Sequence, residues 1–150
     1  MGGIGLQVTK FKEKDLLPAA ELFVAIFNDE PWNDNWQVKT AEKRLTDFLN
    51  TPKFLGVCCY EGEELLGFAL GNREQWFEGE VFHLKEMGVK REKQGEGLGT
   101  SLLEKLRKQL IGTGAKGIYL VTARGTRAEK FYQKNGFKSN EELVVMDGRI

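Results

Sequence analysis

Apolar positions that recur at three- and four-residue steps predict two helices in the first third of the chain. After a weak strand signal at residues 6–9, the first helix places its apolar residues on one face, with Asp15 near its N-cap. Pro18 falls in the first turn of this helix, where proline is tolerated. The second helix is expected to begin near a Thr40 cap and to end before Pro52, because the residue that precedes a proline avoids the helical region.

Three extended segments rich in apolar and β-branched residues follow, and they predict a hairpin and a third strand. The hairpin joins residues 54–60 to residues 65–70 through a turn at residues 61–63. A polar connection over residues 71–79 then leads to the third strand, residues 81–89. This region therefore contributes three strands to the predicted sheet.

Five leucines at helical spacing predict a helix that begins directly after a glycine-rich loop. The helix is expected to end at the glycines of residues 112–114, and a buried strand is expected at residues 117–122. The leucines on the shared face are Leu98, Leu102, Leu103, Leu106 and Leu110.

The end of the chain predicts a short helix from Thr126 to Asn135, stopped by Gly136, and a last strand built from Phe137 and residues 143–146. The order of elements is then strand, two helices, three strands, helix, strand, helix, strand. Such an order implies an α/β (α+β) fold in which helices cover a mixed β-sheet, and we expect one domain over residues 1–150.

Three glycines at alternate positions, Gly95, Gly97 and Gly99, lie between the strand at residues 81–89 and the leucine-rich helix. Bare backbone at a helix N-terminus offers free N–H groups and the positive end of the helix dipole, which together bind anions such as phosphate. The spacing differs from the G-x-G-x-x-G motif of dinucleotide-binding folds, and the Gly-Lys-Ser/Thr ending of a P-loop is absent. The loop therefore indicates a phosphate site, with a purely structural loop as the alternative.

The composition is that of an ordinary soluble globular protein, with 41% hydrophobic and 29% charged residues. No apolar run approaches the ~20 residues that a membrane span needs, and no secretory leader is recognisable, so we expect a cytoplasmic protein without membrane contact. The adjacent Cys58 and Cys59 would point to opposite faces of a strand, which argues against a disulfide and agrees with a reducing compartment.

Charge is distributed unevenly along the chain, although the formal net charge is zero. Residues 1–84 carry 8 basic and 14 acidic side chains, a net of −6, and residues 85–138 carry 13 basic and 5 acidic side chains, a net of +8. The basic segment contains the glycine loop, which favours a polyanionic cofactor there and a cationic partner near the acidic segment. A nucleic-acid partner is not expected, because aromatic residues are not interleaved through the basic segment.

Two motifs together resemble the signatures of the GCN5-related N-acetyltransferase (GNAT) superfamily. The first is Gln-x-x-Gly-x-Gly, formed by Gln94, Gly97 and Gly99 after a strand and at the start of a helix. The second is the segment 128–137, which lies on a short helix after the next strand. The resemblance covers about residues 57–137, and it implies a GNAT fold with a mixed sheet of about six to seven strands flanked by about four helices.

The resemblance implies acetyl-coenzyme A (acetyl-CoA) as co-substrate and no metal. Backbone groups of the strand before the glycine loop would run along the pantetheine arm and polarise the acetyl carbonyl, and N–H groups of the loop would hold the pyrophosphate. Many members carry an asparagine before the second motif. Here Thr122 or Arg124 is the candidate replacement, and the alternative is that this contact is absent. The cofactor-binding residues expected on this basis are Met87, Val89, Gln94, Gly95, Glu96, Gly97, Leu98, Gly99 and Thr100.

Direct attack of an amine on the thioester, the usual reaction of this family, creates two proton-transfer tasks. Tyr132 matches the family tyrosine that donates a proton to the departing sulfur. His83, the only histidine, is one candidate for the base, because imidazole exchanges protons near neutral pH. Glu86 is the other candidate, although strand alternation would place it on the opposite face from His83 unless a bulge intervenes. Water could also remove the proton without a base.

The loop between the first two helices is expected to shape the acceptor site, since the equivalent region does so in the family. Residues 29–36 combine carboxylates with two tryptophans, and both kinds of group attract cations. We expect Glu30, Trp32 and Trp36 to contact an amine such as a polyamine or an amino sugar. The loop is broadly similar to that of aminoglycoside 6′-N-acetyltransferase-like members. The alternative is that both tryptophans only anchor the loop on the sheet.

The sequence thus predicts an N-acetyltransferase that acts on the primary amine of a small, cationic molecule. Acetylation of a protein N-terminus or lysine is an alternative within the class, and a non-catalytic CoA-binding regulatory module is an alternative outside it. Dimers are common in the family, so the oligomeric state stays open between a monomer and a homodimer.

Overall fold

The computed structural model describes residues 6–150, which form one β-sheet with helices on both of its faces. The strands are β1 (Leu6–Lys10), β2 (Phe54–Glu61), β3 (Glu64–Trp76), β4 (Gly79–Val89) and β5 (Ala115–Tyr119). The helices are α1 (Leu16–Phe27), α2 (Val38–Leu49), α3 (Leu98–Leu110) and α4 (Arg127–Lys134). The sheet order follows the chain, β1-β2-β3-β4-β5, and neighbouring strands are antiparallel except β4 and β5, which are parallel. The first five residues of the predicted 1–150 domain lie outside the described part.

One face of the sheet is covered by α1 and α2. Phe23 of α1 and Phe68 of β3 are buried in the same apolar cluster. Asp15 stands at the start of α1, as the sequence predicts, and its carboxylate is only 1% exposed. It accepts hydrogen bonds from the Lys12 backbone N–H (2.8 Å) and the Tyr60 hydroxyl (2.6 Å). These bonds fix the start of α1 against β2.

The opposite face is covered by α3, whose five leucines are all buried as the helical spacing predicts. The two adjacent cysteines confirm the alternation of β2, because Cys58 belongs to the cluster under α1 and Cys59 to the cluster under α3. Both thiols are free. Each face of the sheet therefore has its own apolar core.

The helices are short, and none among residues 6–150 is long and apolar enough to cross a membrane. The second helix, α2, begins at Val38, two residues before the predicted Thr40 cap. Gln37 is the N-cap residue, and Thr40 belongs to the capping box, because its hydroxyl oxygen accepts a hydrogen bond from the Gln37 backbone N–H (3.3 Å). The helix ends at Leu49, before Pro52, as predicted.

The predicted polar connection over residues 71–79 is wrong for most of its length. Residues 71–76 continue β3 and pair with β4, and Arg73 forms an ion pair with Glu80 across the two strands (2.7 Å). The turn is confined to residues 77–78. Polar side chains can line a strand when the pairing strand satisfies them, and composition alone does not report that pairing.

The last predicted strand is absent from the described residues. Residues 143–146 are irregular and between 65% and 84% exposed, and no strand pairs with the outer edge of β5 within residues 6–150. Apolar, β-branched composition predicts a strand, but a strand also needs a hydrogen-bonding neighbour. The sheet therefore has five strands instead of six to seven, while the mixed sheet and the four helices are confirmed.

Candidate active site

A pocket of about 600 Å³ lies beside the C-terminal half of β4, between α4 and the loop that joins α1 to α2. Six residues singled out in the sequence line it: Trp32, Trp36, His83, Glu86, Met87 and Tyr132. Thr122 also lines the pocket, whereas Arg124 does not. Glu30 lies outside it, and its backbone carbonyl accepts a hydrogen bond from Arg91 Nη2 (3.3 Å). The candidate acid and both candidate bases are thus brought together.

A β-bulge places His83 and Glu86 on the same side of β4. The pairing of β3 with β4 skips Lys85, and both Lys85 and Glu86 contact side chains of α2. A side chain at Gly71 would put its Cβ 1.9 Å from the His83 carbonyl oxygen, so the close approach of the strands at the bulge requires glycine. The condition under which both candidate bases could share a site is therefore met.

His83 is held by two residues that the sequence did not single out. Its Nδ1 lies 3.2 Å from Glu74 Oε2, and its ring stacks on that of Tyr119 with 4.3 Å between centroids. The Tyr119 hydroxyl donates to Glu74 Oε1 (2.6 Å). Burial raises the pKa of Glu74, but the hydrogen bonds from Tyr119 and His83 outweigh it and hold that pKa below its ordinary value. Burial and the Glu74 charge raise the pKa of Tyr119 to about 12.

The signal that would have identified Glu74 is the register of β3 and β4. Asn72 lies opposite His83, and strand residues two apart share a face, so Glu74 is the diagonal neighbour of His83. Tyr119 lies opposite His83 in the parallel pair of β4 and β5. Neither pairing is visible in the sequence. The pairing of β3 with β4 falls in a stretch that resembles a polar connection, and the pairing of β4 with β5 joins segments that are distant in the chain.

Glu86 is engaged by α2. Its carboxylate accepts a hydrogen bond from Arg44 Nε (2.7 Å) and is 11% exposed, against 42% for the Arg44 side chain. Burial raises the pKa of Glu86, and the guanidinium of Arg44 only partly opposes this effect. The guanidinium also lies over the rings of Phe48 (4.8 Å) and Trp36 (5.8 Å). Glu86 therefore forms an ion pair that joins β4 to α2.

Tyr132 lines the pocket from α4, a helix that begins at a Thr126 cap as predicted. Phe131 and Phe137 pack edge-on against its ring, with centroid distances of 5.3 and 5.4 Å. Burial raises the pKa of Tyr132 above its ordinary range, and the charge of Glu86 adds to this effect. The phenol therefore keeps its proton at neutral pH.

The two tryptophans of the α1–α2 loop both anchor the loop and form pocket wall. Trp36 packs edge-on against Phe23 (5.0 Å), and Trp32 lies 5.6 Å from Phe27. The Trp36 indole N–H donates to Asp34 (3.0 Å), and this carboxylate also lines the pocket. The wall that faces α4 therefore combines aromatic faces with a negative charge, which is the combination that attracts a cation.

The glycine loop adopts the backbone conformation that a phosphate cradle needs. Gly95 and Gly97 have φ of 83° and 87°, in the left-handed region that favours glycine. The first bond of α3 runs from the Ser101 N–H to the Gly97 carbonyl (3.0 Å), so the three N–H groups before Ser101 have no intrahelical acceptor. A Cβ on Gly99 would lie 2.8 Å from Phe131, so glycine there lets α3 approach α4. The loop fits the pyrophosphate of coenzyme A.

The outer edge of β4 is free next to this loop. Hydrogen-bonded pairing with β5 extends no further than His83, so Met87 and Val89 lie on a stretch with no strand neighbour on that side among the described residues. The Gln94 side chain donates to the Val89 carbonyl (3.0 Å) and ties the loop back to the strand. Backbone groups around Met87 are therefore open to an extended ligand, as the pantetheine arm would be.

The three cations just before the glycine loop already have carboxylate partners. The pairs are Lys90 with Glu64, Arg91 with Asp29, and Lys93 with Glu61. The second of these joins the glycine-loop region to the α1–α2 loop. Phosphate binding at this loop would therefore rest on backbone N–H groups more than on these side chains.

Residues 19–137, well over half of the chain, match the sequence model of the acetyltransferase (GNAT) family. The protein therefore belongs to the GNAT acetyltransferase family, and the resemblance carried by its two motifs is confirmed. No curated protein matches the chain.

Solved structures share the fold over nearly the whole chain. An aminoglycoside acetyltransferase from an uncultured soil metagenomic sample, meta-AAC0020 in complex with trehalose, is 16% identical, with a TM-score of 0.77 and 97% of each chain covered. Aminoglycoside N-acetyltransferase AAC(6′)-Iy in complex with CoA is 14% identical, with a TM-score of 0.77, covering 97% of this chain and 95% of that one. A possible acetyltransferase from Clostridium difficile 630 is 12% identical, with a TM-score of 0.81, covering 97% and 98%. At sequence identities of 12–16%, the similarity to these solved structures establishes the fold of this chain.

Proposed function

We propose that this protein transfers the acetyl group of acetyl-CoA to the primary amine of a small, cationic acceptor by direct attack. The observation that carries the proposal is the placement of His83 and Tyr132 in one pocket, beside the free stretch of β4 and the glycine loop. A base and an acid in one pocket supply the two proton transfers that amide formation from a thioester requires.

Acetyl-CoA would supply the acetyl group as a thioester with a good leaving group. The residues of this chain would bind and orient it. The N–H groups of the glycine loop hold the phosphates, and a backbone N–H near Met87 or Val89 polarises the acetyl carbonyl. Tyr132 donates its hydroxyl proton to the departing sulfur.

His83 is better placed than Glu86 to accept the proton of the amine. The carboxylate of Glu86 already accepts a hydrogen bond from Arg44, so using it as the base would disrupt a half-buried ion pair. Only Nδ1 of His83 is engaged, by Glu74, which leaves Nε2 to accept a proton. We assign Glu86 to the pocket wall, where its ion pair with Arg44 holds β4 against α2.

A polyamine or an amino sugar fits the acceptor site that we propose. Asp34 supplies the pocket wall with a carboxylate that has no cationic partner within residues 6–150, and Trp32 and Trp36 offer aromatic faces beside it. The carboxylate of Glu86, in contrast, is neutralised by Arg44. Two solved structures with this fold carry the name aminoglycoside acetyltransferase, and one of them, meta-AAC0020, is also known in complex with sisomicin. These names support the amino sugar.

Two alternatives remain less well supported. A protein N-terminus or lysine side chain would need an open groove, whereas here the α1–α2 loop forms one wall of the pocket. A CoA-binding regulatory module would have no use for a protonated tyrosine in this pocket. Tyr132 therefore favours an enzyme over a module.

We further propose that residues 1–150 act as one domain in the cytoplasm. The free and buried thiols of Cys58 and Cys59 support a reducing compartment. The exposed apolar residues 143–146 support self-association as a homodimer, because contiguous exposed apolar patches mark interaction surfaces.

A panel of amines assayed with acetyl-CoA for release of free thiol tests the proposed reaction. We expect turnover with cationic small molecules, and we expect Tyr132→Phe to lower it by at least about tenfold, because the sulfur then departs without a proton donor. Binding of CoA, measured by calorimetry, should stay within about twofold of the unmodified protein.

Tyr60→Phe is the matched control, since it removes the same hydroxyl outside the pocket. Because that hydroxyl bonds the buried Asp15, thermal unfolding first establishes that the variant folds, and it should then retain turnover. If no amine of the panel releases thiol above background while CoA still binds, the regulatory module replaces the enzyme as the better proposal.

A further inference from the structure

Three polar side chains from three adjacent strands form a hydrogen-bonded cluster beside the pocket. The carboxylate of Glu74 on β3 is hydrogen-bonded to two residues. One oxygen lies 3.2 Å from Nδ1 of His83 on β4, and the other lies 2.6 Å from the hydroxyl of Tyr119 on β5. The side chains of His83 and Glu74 are 24% and 30% exposed, so the cluster is half-buried at the edge of the site. The proposed acetyl transfer assigns a task to His83 but none to the other two residues.

The Glu74 contact decides which nitrogen of neutral His83 carries the proton. A carboxylate only accepts hydrogen bonds, so the proton lies on Nδ1 and the lone pair on Nε2. The Tyr119 ring lies nearly parallel to the imidazole, at 19°, and fixes its plane. The Tyr119 hydroxyl binds the second carboxylate oxygen and so restrains rotation of Glu74.

We infer that Glu74 is a positioning residue for acetyl transfer, which holds His83 in the tautomer that accepts a proton at Nε2, and that Tyr119 assists by fixing the Glu74 carboxylate. The inference rests on the proposed function, because Glu74 acts only through His83. When His83 takes up a proton, the carboxylate of Glu74 also offsets the positive charge of the imidazolium.

No other carboxylate of the pocket wall is available for this role. Both carboxylates of that wall already accept hydrogen bonds, one from the Trp36 indole and one from Arg44. The charged or titratable side chains that line the pocket with His83 are Asp34 before α2, Arg44 on α2, Lys85 and Glu86 on β4, and Tyr132 on α4.

Two protons leave the acceptor nitrogen during the reaction. The ammonium group first gives one to Nε2 of His83, which passes it to solvent. The neutral amine nitrogen then forms a bond to the acetyl carbon, and the carbon–sulfur bond breaks. The sulfur takes a proton from Tyr132, and the second proton from nitrogen, relayed through His83 and solvent, replaces it. One amide and one thiol are formed, and one proton is released.

Glu74→Gln tests the inference, because it keeps the shape of the side chain and removes its charge. The Tyr119 hydroxyl should take the amide oxygen, which turns the amide NH₂ toward Nδ1 of His83 and shifts the proton to Nε2. We expect kcat to fall at least about tenfold while KM for acetyl-CoA stays within about twofold. Tyr119→Phe should give a smaller loss in the same direction. Glu78→Gln, in the exposed turn between β3 and β4, is the matched control.

The tautomer itself is measurable by nitrogen-15 NMR of the imidazole. The chain has a single histidine, so both ring nitrogens give unambiguous signals. We expect the Nδ1–H form in the unmodified protein and the Nε2–H form in Glu74→Gln, with no cofactor or acceptor present. This readout does not depend on turnover, and thermal unfolding of each variant shows whether it folds.

The outcomes separate the inference from the proposed function. An Nε2–H tautomer in the unmodified protein, or unchanged kcat in folded Glu74→Gln, overturns the inference and leaves the acetyl transfer standing. Turnover that survives His83→Ala also overturns it. If the unmodified protein acetylates no amine, the proposed function fails, and the tautomer shift would then show positioning without that reaction.

Discussion

Cys58 and Cys59 show how one residue step separates two environments. One peptide bond joins them, yet they lie in the apolar clusters on opposite faces of the sheet. Burial raises the pKa of Cys58 from 9.0 to about 12, and it also raises the pKa of Cys59. Because the thiolate is the reactive form, both thiols should be inert in the folded protein.

We predict that neither thiol is alkylated by iodoacetamide at about pH 9.5, where a thiol of ordinary pKa is largely ionised. Mass spectrometry should find no modification in the folded protein and two modified cysteines in denaturant, where burial is lost. The unfolded Cys58 loses its proton near pH 9 and the folded one only near pH 12, so the free energy of unfolding should fall as the pH rises through that range. Rapid alkylation of the folded protein would contradict the burial described.

At the scale of an element, the glycine loop combines a left-handed backbone conformation with an exposed backbone. Gly97 at its end and Gly112 after α3 have nearly the same φ, 87° and 90°, and a Cβ on either would meet no other atom within 4 Å. Replacing either glycine by alanine should therefore cost a similar amount of free energy in the backbone. The two positions differ in their distance from the proposed phosphate site.

We predict that Gly97→Ala and Gly112→Ala lower the free energy of unfolding by similar amounts, about 1–2 kcal/mol each, as urea denaturation would measure. Only Gly97→Ala should raise the KM for acetyl-CoA, by about tenfold or more, because the loop N–H groups then move away from the phosphates. An equal rise in both variants would show that the loop has no special part in cofactor binding.

Elements with strong local signals were predictable, and elements defined by pairing were not. The five leucines of α3 and the glycines before it set the helix and its start, since these depend on neighbours in the chain. The extension of β3 through residues 71–76 depends on contacts with β4, and the irregular course of residues 143–146 depends on the absence of a hydrogen-bonded neighbour in the described part. Composition reports neither.

The candidate site divides in the same way. Tyr132 and the glycine loop lie in short sequence motifs, so the sequence identifies them directly. His83 and Glu86 were candidates whose common placement depended on a bulge, and the bulge depends on strand register. Glu74 needs both the register and the extended β3, so nothing in the local sequence indicates its contact with His83.

At the scale of the whole molecule, the uneven charge of the chain is partly neutralised by folding. The acidic first part supplies carboxylates from the β2–β3 turn and the α1–α2 loop to the cations just before the glycine loop. The long-range attraction for a polyanionic cofactor is therefore weaker than the +8 net charge of residues 85–138 would imply.

We predict a shallow salt dependence, with the KM for acetyl-CoA rising less than about threefold between ~0.05 and ~0.5 M salt at saturating acceptor, because backbone N–H groups carry much of the phosphate binding. Glu64→Gln frees Lys90 and should lower KM at low salt and steepen the dependence. Glu63→Gln, in the same turn, serves as the control. A steep dependence in the unmodified protein would show that the cations bind the phosphates despite their partners.

The bulge at Lys85 changes which residues of β4, the even-numbered or the odd-numbered ones, face α3. Before it, the even-numbered Phe82 and Leu84 face the leucines of α3, and after it the odd-numbered Met87 and Val89 do. Deleting Lys85 would remove the extra residue and restore uniform alternation, with Met87 and Val89 still on the face that they occupy now. An alignment or a redesign that assumes unbroken alternation of side chains through Lys85 assigns pocket residues to the core and core residues to the pocket. The alternation therefore has to be assigned separately before and after the bulge.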